Sequence, residues 1–317
     1  MPTLTPFELN NPEHHSLLAA LWNSGLPADL AIPPEFVHSV TRPFTGGVQA
    51  GRIAEVDGQP VGAIFVSAHP GAPPSMPSDM GWIDAIAVDP SHQRQGIGRE
   101  LLAWAEEWLS AQGASTIRTG GGLRPLTPGV PVASTSFFTA CGYDLDEELS
   151  WDVARNLADY TRPPSLREVP AAASPGQPGQ EELLLGFLRR EFPGRWTFEA
   201  EELLQEGGRI SDFMLLWTET GVEGACRLTF EDSIWPMGRF YPYNLPRPWG
   251  QLGSIGVSES VRGQGMGLFL LDAGLRRLQN NGVNGCVIDW TGLLDFYGKA
   301  GFTPFHMWAV LWKKVGA

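Results

Sequence analysis

The sequence predicts two tandem α/β domains, each a mixed β-sheet with helices on its faces. The chain has 317 residues, roughly the length of two ordinary domains. A segment rich in Pro, Ala, Gly and Ser at 162–180 lies near the middle, where a linker is expected, and the run 166–169 inside it is a candidate first strand of the second domain. We predict an N-terminal domain over residues 1–162 and a C-terminal domain over residues 163–317.

An internal repeat of whole-domain size supports this division. The stretch MGWIDAIAVDPSHQRQGIG, from Met80, aligns without gaps with WGQLGSIGVSESVRGQGMG, from Trp249, at a shift of 169 residues (249 − 80). The alignment continues downstream, where a glycine in each copy is interpreted as the end of a helix. Identical pairs at this shift are Val88 and Val257, Gly96 and Gly265, Gly98 and Gly267, Leu101 and Leu270, Leu102 and Leu271, and Gly113 and Gly282.

Each copy predicts the same order of elements: a hairpin, a strand, a helix, a strand, a short helix and a closing strand. The hairpins turn at Asp57-Gly58 and around Gly221. Apolar runs predict the next strand at 82–88 and 252–257. Apolar residues then recur along one face of the following helix. They are Leu101, Leu102, Ala105, Trp108 and Leu109 in the first copy and Leu270, Leu271, Gly274, Leu275 and Leu278 in the second.

Composition argues against several classes of protein. The net charge of −13 and the lack of a Lys/Arg-rich run argue against nucleic-acid binding. The three cysteines are odd in number and far apart, which argues against a disulfide framework and favours a cytoplasmic location. We expect no signal peptide, no membrane span, because no run of about 18 apolar residues occurs, and no metal site, because the six histidines form no ligand pattern.

The repeated glycine phrase is QRQGIG at 93–98 and RGQGMG at 262–267. A strand that runs through a glycine turn into a helix forms an anion site, because the first helical N–H groups lack partners and the helix dipole adds positive potential. Glycine lets a phosphate approach the backbone closely. We predict that backbone amides at both phrases hold a diphosphate, with Arg94 and Arg262 adding charge. The alternative is that the glycines only form tight turns.

Both phrases resemble the acyl-CoA pyrophosphate loop of the GNAT superfamily of N-acetyltransferases. The segment LLDFYGKAGF at 293–302 is similar to a late motif of that family, and SFFTACGY at 136–143 is its weaker counterpart. The resemblance covers both halves and implies a tandem GNAT protein that uses acetyl-CoA. The residues that it assigns to the cofactor are Ile86, Val88, Gln93, Arg94, Gln95, Gly96, Ile97 and Gly98, and Ile255, Val257, Arg262, Gly263, Gln264, Gly265, Met266 and Gly267.

The resemblance also implies that a Tyr in the late helix donates a proton to the leaving thiolate. That residue is Tyr297 in the second half, whereas the first half has Phe138, which cannot donate one. We therefore expect the second half to be catalytic, and the first half to keep a CoA site without turnover or to serve as a structural partner. We assign Asp289 to the catalytic site with Tyr297, and Glu231 and Asp232 remain alternative bases that act directly or through water.

The first half has its own candidate base. Histone-acetylating members of the family carry a Glu six residues before the last Val of the fourth strand, where this sequence has Trp82 and Gln251. Asp84 follows on the same strand face as Trp82, because side chains alternate along a strand. Its counterpart in the second half is Gly253.

Two loops differ between the halves. The aromatic, Pro-rich segment Phe230–Gly250 is a candidate acceptor-pocket wall or a packed surface loop. Its proposed wall residues are Trp235, Phe240, Tyr241 and Tyr243. The first half instead carries the insertion GGGLRPLTPGVPVAST at 120–135, which is expected to cap or obstruct its own cleft.

We therefore expect a cytoplasmic tandem GNAT enzyme that moves an acetyl group from acetyl-CoA to a primary amine of a small molecule. The binding partner is a small molecule, with neither nucleic acid nor membrane involved. Two alternatives stay open: an enzyme that acetylates protein amines, and a non-catalytic acyl-CoA-binding or regulatory protein.

Overall fold

The computed structural model of the chain describes residues 2–70, 77–122, 124–235 and 245–315. The chain forms two compact units. The described residues of unit 1 lie within 2–150 and 307–315, and those of unit 2 lie within 151–306. The predicted fold class, α/β with a mixed sheet and helices on its faces, is confirmed.

The strands and helices follow one another in a repeated order. The strands are β1 (Thr3–Pro6), β2 (Val48–Val56), β3 (Gln59–Ala68), β4 (Met80–Val88), β5 (Thr116–Thr119), β6 (Val130–Pro131), β7 (Asp144–Asn156), β8 (Ala172–Pro175), β9 (Phe213–Thr218), β10 (Gly221–Thr229), β11 (Trp249–Val257), β12 (Gly285–Thr291) and β13 (Thr303–Lys314). The α-helices are α1 (Pro12–Gly25), α2 (Pro34–Thr41), α3 (Ile97–Ala111), α4 (Thr135–Thr139), α5 (Glu181–Glu191), α6 (Arg195–Gln205), α7 (Met266–Asn280) and α8 (Leu294–Gly298).

The sheet of unit 1 has the strand order β1-β2-β3-β4-β5-β13. Its neighbouring strands are antiparallel except for β4 and β5, which are parallel. Side chains alternate between the two faces of a strand, and an extra residue at Asp84 shifts this alternation within β4. Phe65 and Ala85 pack with α1 and α2 on one face, while Ile64, Val66 and Ile83 pack with α3 on the other. The two central strands are therefore buried on both faces.

The predicted turns and helix faces are present. Asp57 and Gly58 have φ of 52° and 75°, the left-handed values that a tight hairpin turn requires. On α3 the predicted apolar residues are buried except Trp108, which is half-buried at the edge of the stripe. The helix ends before Gly113, which has φ of 92°, and Gly282 has φ of 81° after α7.

The sheet of unit 2 has the strand order β7-β12-β11-β10-β9-β8, and its parallel pair is β11 and β12. The predicted first strand at 166–169 is wrong. The edge strand is β8, which pairs antiparallel with β9 from Ala172 opposite Trp217 to Pro175 opposite Met214. An edge strand needs only backbone pairing with its neighbour, so the small side chains of β8 show no pattern that predicts a strand. The segment at 166–169 instead begins with a turn, in which the Leu166 N–H donates to the Pro163 carbonyl at 3.0 Å.

Two strands each contribute to both units. Residues 144–150 of β7 belong to unit 1, and its later residues pair with β12 in unit 2. Residues of β13 from 307 onward return to unit 1, where Trp312, Lys313 and Lys314 pair with β5. The boundary at residue 163 remains a prediction drawn from the Pro-, Ala-, Gly- and Ser-rich segment, whereas the compact units divide within these two strands.

Candidate active site

In both units a strand leads through a glycine corner into a helix. β4 is followed by the short 3₁₀ turn Pro90–His92 and then α3, and β11 by Glu259–Val261 and then α7. The residue before each helix has a left-handed backbone, with φ of 91° at Gly96 and 87° at Gly265. Glycine adopts this conformation without the clash that a side chain would cause. The sequence thus has glycine where the turn requires it.

Backbone amides at both corners are available to an anion. The first N–H groups that pair at the start of the helices are those of Arg99, 2.9 Å from the Gly96 carbonyl, and Phe269, 3.1 Å from the Gly265 carbonyl. The amides just before them find no carbonyl acceptor within the described chain. Free amides at the positive end of a helix dipole attract phosphate.

Side chains of the two phrases brace the loops in matching ways. Gln95 and Gln264 each donate to a carbonyl four residues earlier, at 3.2 and 2.9 Å. Gln93 and Arg262 each donate to the carbonyl of the last strand residue, at 3.1 and 3.3 Å. These four side chains donate to carbonyl groups of the loop and the preceding strand. They therefore stabilise each loop without using the backbone amides, which stay available to a ligand.

The fourth strand of each unit contains a β-bulge. In β4 the extra residue is Asp84, where the pairing with β3 shifts register. In β11 the pairing with β10 shifts between Gly253 and Gly256, and Ser254 there has φ of 46°. A bulge re-aims the backbone groups around it, so both strands can direct an N–H toward a bound carbonyl oxygen.

The parallel strands separate beyond the bulges. β4 pairs with β5 over residues 80–83, and β11 pairs with β12 over residues 249–251. The later halves of β4 and β11 extend past these pairs and lead to the glycine corners. Those halves contain the predicted residues Ile86, Val88, Ile255 and Val257.

The late helix of each unit stands beside the glycine corner. A methyl group placed on Gly98 would lie 3.1 Å from the ring of Phe137, and one on Gly267 would lie 3.7 Å from the ring of Phe296. The two units therefore match residue for residue here, and the residue after each Phe occupies the position that was predicted for a proton donor.

Tyr297 follows Phe296 in α8 and is buried in the core of unit 2, with 5% of its surface exposed. Burial raises the pKa of Tyr297 well above its usual value, and the Cys226 thiol and the Asp289 carboxylate raise it further, while the Thr291 hydroxyl opposes them. The phenol therefore keeps its proton at neutral pH, as a proton donor must.

Asp289 lies in the same part of unit 2. The pairing of β12 with β7 shifts register between residues 288 and 291, and Trp290 has φ of 52°. The half-buried Asp289 carboxylate interacts electrostatically with Tyr297 and with Arg227 on β10. Burial lowers the pKa of the Arg227 guanidinium, and the surrounding carboxylates oppose that effect. Arg227 carries no signal in the sequence, because only the sheet pairing places it near Asp289.

The two alternative bases of the second half are engaged elsewhere. Glu231 accepts hydrogen bonds from Arg247 at 2.8 Å and from the Trp249 backbone at 3.1 Å, and the Trp249 amide and then Arg247 lower its pKa. Asp232 accepts two hydrogen bonds from Arg209, at 2.8 and 2.9 Å, which lower its pKa. Carboxylates stabilised in this way are weak proton acceptors.

Of the predicted acceptor wall, only Trp235 lies among the described residues. Its indole N–H donates to Glu206 at 2.7 Å, and its ring lies 5.4 Å from the Arg227 guanidinium. Phe240, Tyr241 and Tyr243 lie outside the described residues.

Unit 1 differs from unit 2 at the position of Tyr297 and at the bulge of the fourth strand. Phe138 is buried at the position of Tyr297, with 2% of its surface exposed. Asp84 is also 2% exposed, and burial raises its pKa to about 8. Unit 1 thus has a buried carboxyl at its bulge and no phenol beside its glycine corner, whereas unit 2 has the phenol and a glycine in place of the carboxyl.

Within the described ranges, no three His, Cys, Asp or Glu side chains are grouped so as to hold a metal ion. No helix in the same ranges is long and apolar enough to cross a membrane.

Sequence comparison places the chain among acetyltransferases. Residues 22–121 and 182–302, more than half of the chain, match the acetyltransferase (GNAT) family. The chain is 24% identical over 291 residues to mycothiol acetyltransferase of Corynebacterium efficiens, an alignment that covers 86% of this chain and 83% of that protein.

Structural comparison finds the same fold in proteins of low sequence identity. A glucosamine N-acetyltransferase region of a fungal multi-domain GH3 β-N-acetylglucosaminidase matches with a TM-score of 0.87 and 21% identity, and the match covers 99% of this chain but 38% of that one. A tandem GNAT protein from the clavulanic acid biosynthesis pathway matches with a TM-score of 0.70 and 14% identity, and covers 100% of this chain and 99% of that one.

Proposed function

The chain belongs to the acetyltransferase (GNAT) family and is an N-acetyltransferase, and from that premise we propose that unit 2 transfers an acetyl group from acetyl-CoA to a primary amine of a small molecule. The observation that carries the proposal is the position of Tyr297. Its buried, protonated phenol belongs to the helix beside the α7 glycine corner, and unit 1 has Phe138 at the same place.

The residues at the α7 corner fit an acyl-CoA. The amides of Gly265, Met266 and Gly267 would bind the pyrophosphate, because no backbone group competes for them in the described chain. The separated end of β11, with Ile255 and Val257, would lie along the thioester arm, and a backbone N–H at the bulge would stabilise the developing oxyanion.

Acetyl-CoA supplies an activated thioester, and the side chains move the protons. As the amine nitrogen bonds to the carbonyl carbon and the carbon–sulfur bond breaks, the amine must lose a proton and the departing thiolate must gain one. Asp289 accepts the amine proton, directly or through water, and Tyr297 donates a proton to the thiolate. Burial, assisted by the Asp289 carboxylate, raises the pKa of Tyr297 and keeps the phenol protonated until that step.

A small amine is the proposed acceptor. Mycothiol and glucosamine, which name the similar mycothiol acetyltransferase and glucosamine N-acetyltransferase region, are both small molecules. Acetyl transfer to protein amines and binding of acyl-CoA without turnover are the competing functions. We expect the protein to release free thiol from acetyl-CoA when small primary amines are added, and not when each amine is replaced by its hydroxyl counterpart. Turnover limited to peptides would indicate a protein acetyltransferase, and acyl-CoA binding without thiol release would overturn the catalytic proposal.

Both glycine corners are expected to bind CoA, so calorimetry should give two equivalents per chain. Gly96→Ala and Gly265→Ala should each weaken one site at least about tenfold, because a methyl group strains the left-handed backbone and enters the path of the pyrophosphate. Gly113→Ala and Gly282→Ala are matched controls, since these residues have similar φ at the opposite ends of the same helices. Equal losses in all four variants would mean that strain alone is responsible, and would contradict the assignment.

A further inference from the structure

Arg227 is a half-buried cation on the face of the unit 2 sheet that lies opposite to α7. Its neighbours along β10, Cys226 and Leu228, belong to the core beneath α7. Side chains alternate along a strand, so Arg227 points to the other face, where its partner on β9, Phe213, packs with α5 and α6. The guanidinium stays charged at neutral pH, because arginine does not lose its proton in proteins.

Arg227 and Asp289 lie on that face with a glycine between them. Arg227 is directly opposite Gly253 on β11, and opposed residues of an antiparallel pair share a face. On its other side, β11 pairs with β12 at Gln251 and Val287. Gly253 and Asp289 each follow this pair by two residues and keep its face. A cation, a glycine and a carboxylate therefore follow one another across three neighbouring strands.

The glycine leaves space between the two charged groups. A methyl group placed on Gly253 would meet no atom of the described residues within 4 Å, whereas one on Gly256, further along β11, would run into the ring of Phe192. Beyond residue 251, β11 and β12 also separate. Because neighbouring strands lie about 4.8 Å apart, the space between the guanidinium of Arg227 and the carboxylate of Asp289 fits a short molecule.

The guanidinium of Arg227 has hydrogen-bond donors to offer to such a molecule. Its side chain makes no hydrogen bond to the residues that the structure describes. The guanidinium carbon lies 5.4 Å from the centre of the Trp235 ring, and a contact with a ring face leaves the in-plane N–H groups unused. A guanidinium has five N–H donors, and burying them without acceptors is unfavourable. The donors of Arg227 therefore indicate a ligand that accepts hydrogen bonds.

Two nearby carboxylates that would otherwise neutralise Arg227 have arginine partners of their own. Glu199 is paired with Arg195 at 2.7 Å, and Asp212 is paired with Arg209 at 3.0 Å. An anionic group bound to Arg227 would therefore complete a charge pair without displacing either of these.

The fold of unit 1 has no charge at the corresponding position. Trp82 and Gln251 match each other in the internal repeat, and Phe65 and Arg227 each stand two residues before the residue that pairs with them. Phe65 is fully buried. An apolar residue thus satisfies the same place in the sheet, which indicates that the charge of Arg227 serves binding and not folding.

We propose that the acceptor amine carries an acidic group, a carboxylate or a phosphate, which Arg227 binds while the amine lies beside Asp289. A guanidinium holds either group through two parallel hydrogen bonds. An amine without an acidic group would leave the charge of Arg227 without a partner on the ligand. The inference rests on the proposed function, because it takes unit 2 as the place where the amine reacts.

The test is calorimetric binding of amines to the full chain saturated with CoA, which has no acetyl group to transfer. We expect 3-aminopropanoate or 2-aminoethyl phosphate to bind at least tenfold more tightly than its neutral counterpart, 3-aminopropan-1-ol or 2-aminoethanol. The two pairs show whether the site takes a carboxylate or a phosphate. Arg227→Gln should remove the difference within each pair, and Arg227→Lys, which keeps the charge, should retain part of it.

Arg189→Gln is the matched control, because Arg189 is an exposed arginine of α5 and its loss changes the charge of unit 2 by the same amount. This variant should keep the full preference. The inference is overturned if the wild type binds the acidic amines no more tightly than the neutral ones, or if Arg227→Gln keeps the preference. Unchanged CoA affinity shows that each variant is folded. Thiol release from acetyl-CoA is assayed separately, so the proposed function can fail without the inference, and the inference without the function.

Discussion

Tyr297→Phe is expected to lower kcat for acetyl transfer by about 10²- to 10⁴-fold, the range of general acid catalysis. The change removes one oxygen and leaves the ring that packs in the core of unit 2. The lost hydroxyl acts only as the thiolate leaves, so KM for acetyl-CoA should change little. Steady-state thiol release with the best small amine measures both constants.

Tyr143→Phe is the matched control for this change. Tyr143 is a buried tyrosine of unit 1, just after the late helix, with 2% of its surface exposed. Removing its hydroxyl should leave kcat within about twofold, because only an interaction that strengthens in the transition state changes kcat, and Tyr143 lies outside the proposed reacting site. If Tyr297→Phe retained full kcat while Asp84→Asn abolished it, the catalytic site would be in unit 1 and our assignment would be wrong.

Asp84→Asn is expected to raise the free energy of unfolding, by on the order of 5 kcal/mol above pH 8. Burial raises the pKa of Asp84 from 3.8 to about 8, so between these values the folded state holds a proton that the unfolded state has lost. Stability therefore falls as pH rises through this window, and the penalty is complete above it. Asparagine has nearly the same shape and no charge, so the variant escapes the penalty.

The measurement is urea unfolding of both proteins at several pH values. The difference between variant and wild type should be small near pH 4 and should grow until about pH 8. The neighbouring His69 has a pKa lowered to about 4, so it destabilises the fold as pH falls below 6.5, but it does so in both proteins and cancels in the difference. Asp79→Asn, a change at an exposed carboxylate just before β4, should change stability by no more than about 0.5 kcal/mol. A difference that does not depend on pH would show that Asp84 is not buried as an uncompensated carboxyl.

The glycine corners could be predicted because their cause is local. A left-handed turn needs glycine at Gly96 and Gly265, and the same need recurs in both halves of the sequence. Which of the candidate carboxylates is available to act as the general base could not be predicted in this way. Glu231 and Asp232 are held by Arg247 and Arg209, which are 16 and 23 residues away in the chain. Only the folded structure brings those charges together.

The burial of Asp84 shows the same limit. Strand alternation places Asp84 and Trp82 on one face, as the sequence indicates, but it does not show that Gly122 of the insertion closes over them, where an added methyl group would lie 2.9 Å from an Asp84 oxygen. The edge strand β8 was missed for a related reason, because its pairing with β9 uses backbone groups and leaves no apolar pattern. Contacts between distant segments decided each of these features.

The shared strands β7 and β13 constrain how the protein is made. Unit 1 needs residues from 307 onward to pair with β5, and these residues follow the whole of unit 2 in the chain. During synthesis on the ribosome, the first 150 residues therefore emerge with β5 still unpaired on one side. About 150 more residues must be synthesised before β13 can pair with it. The part of β7 that belongs to unit 2 is synthesised before the rest of that unit. We therefore infer that translation completes the second unit before the first.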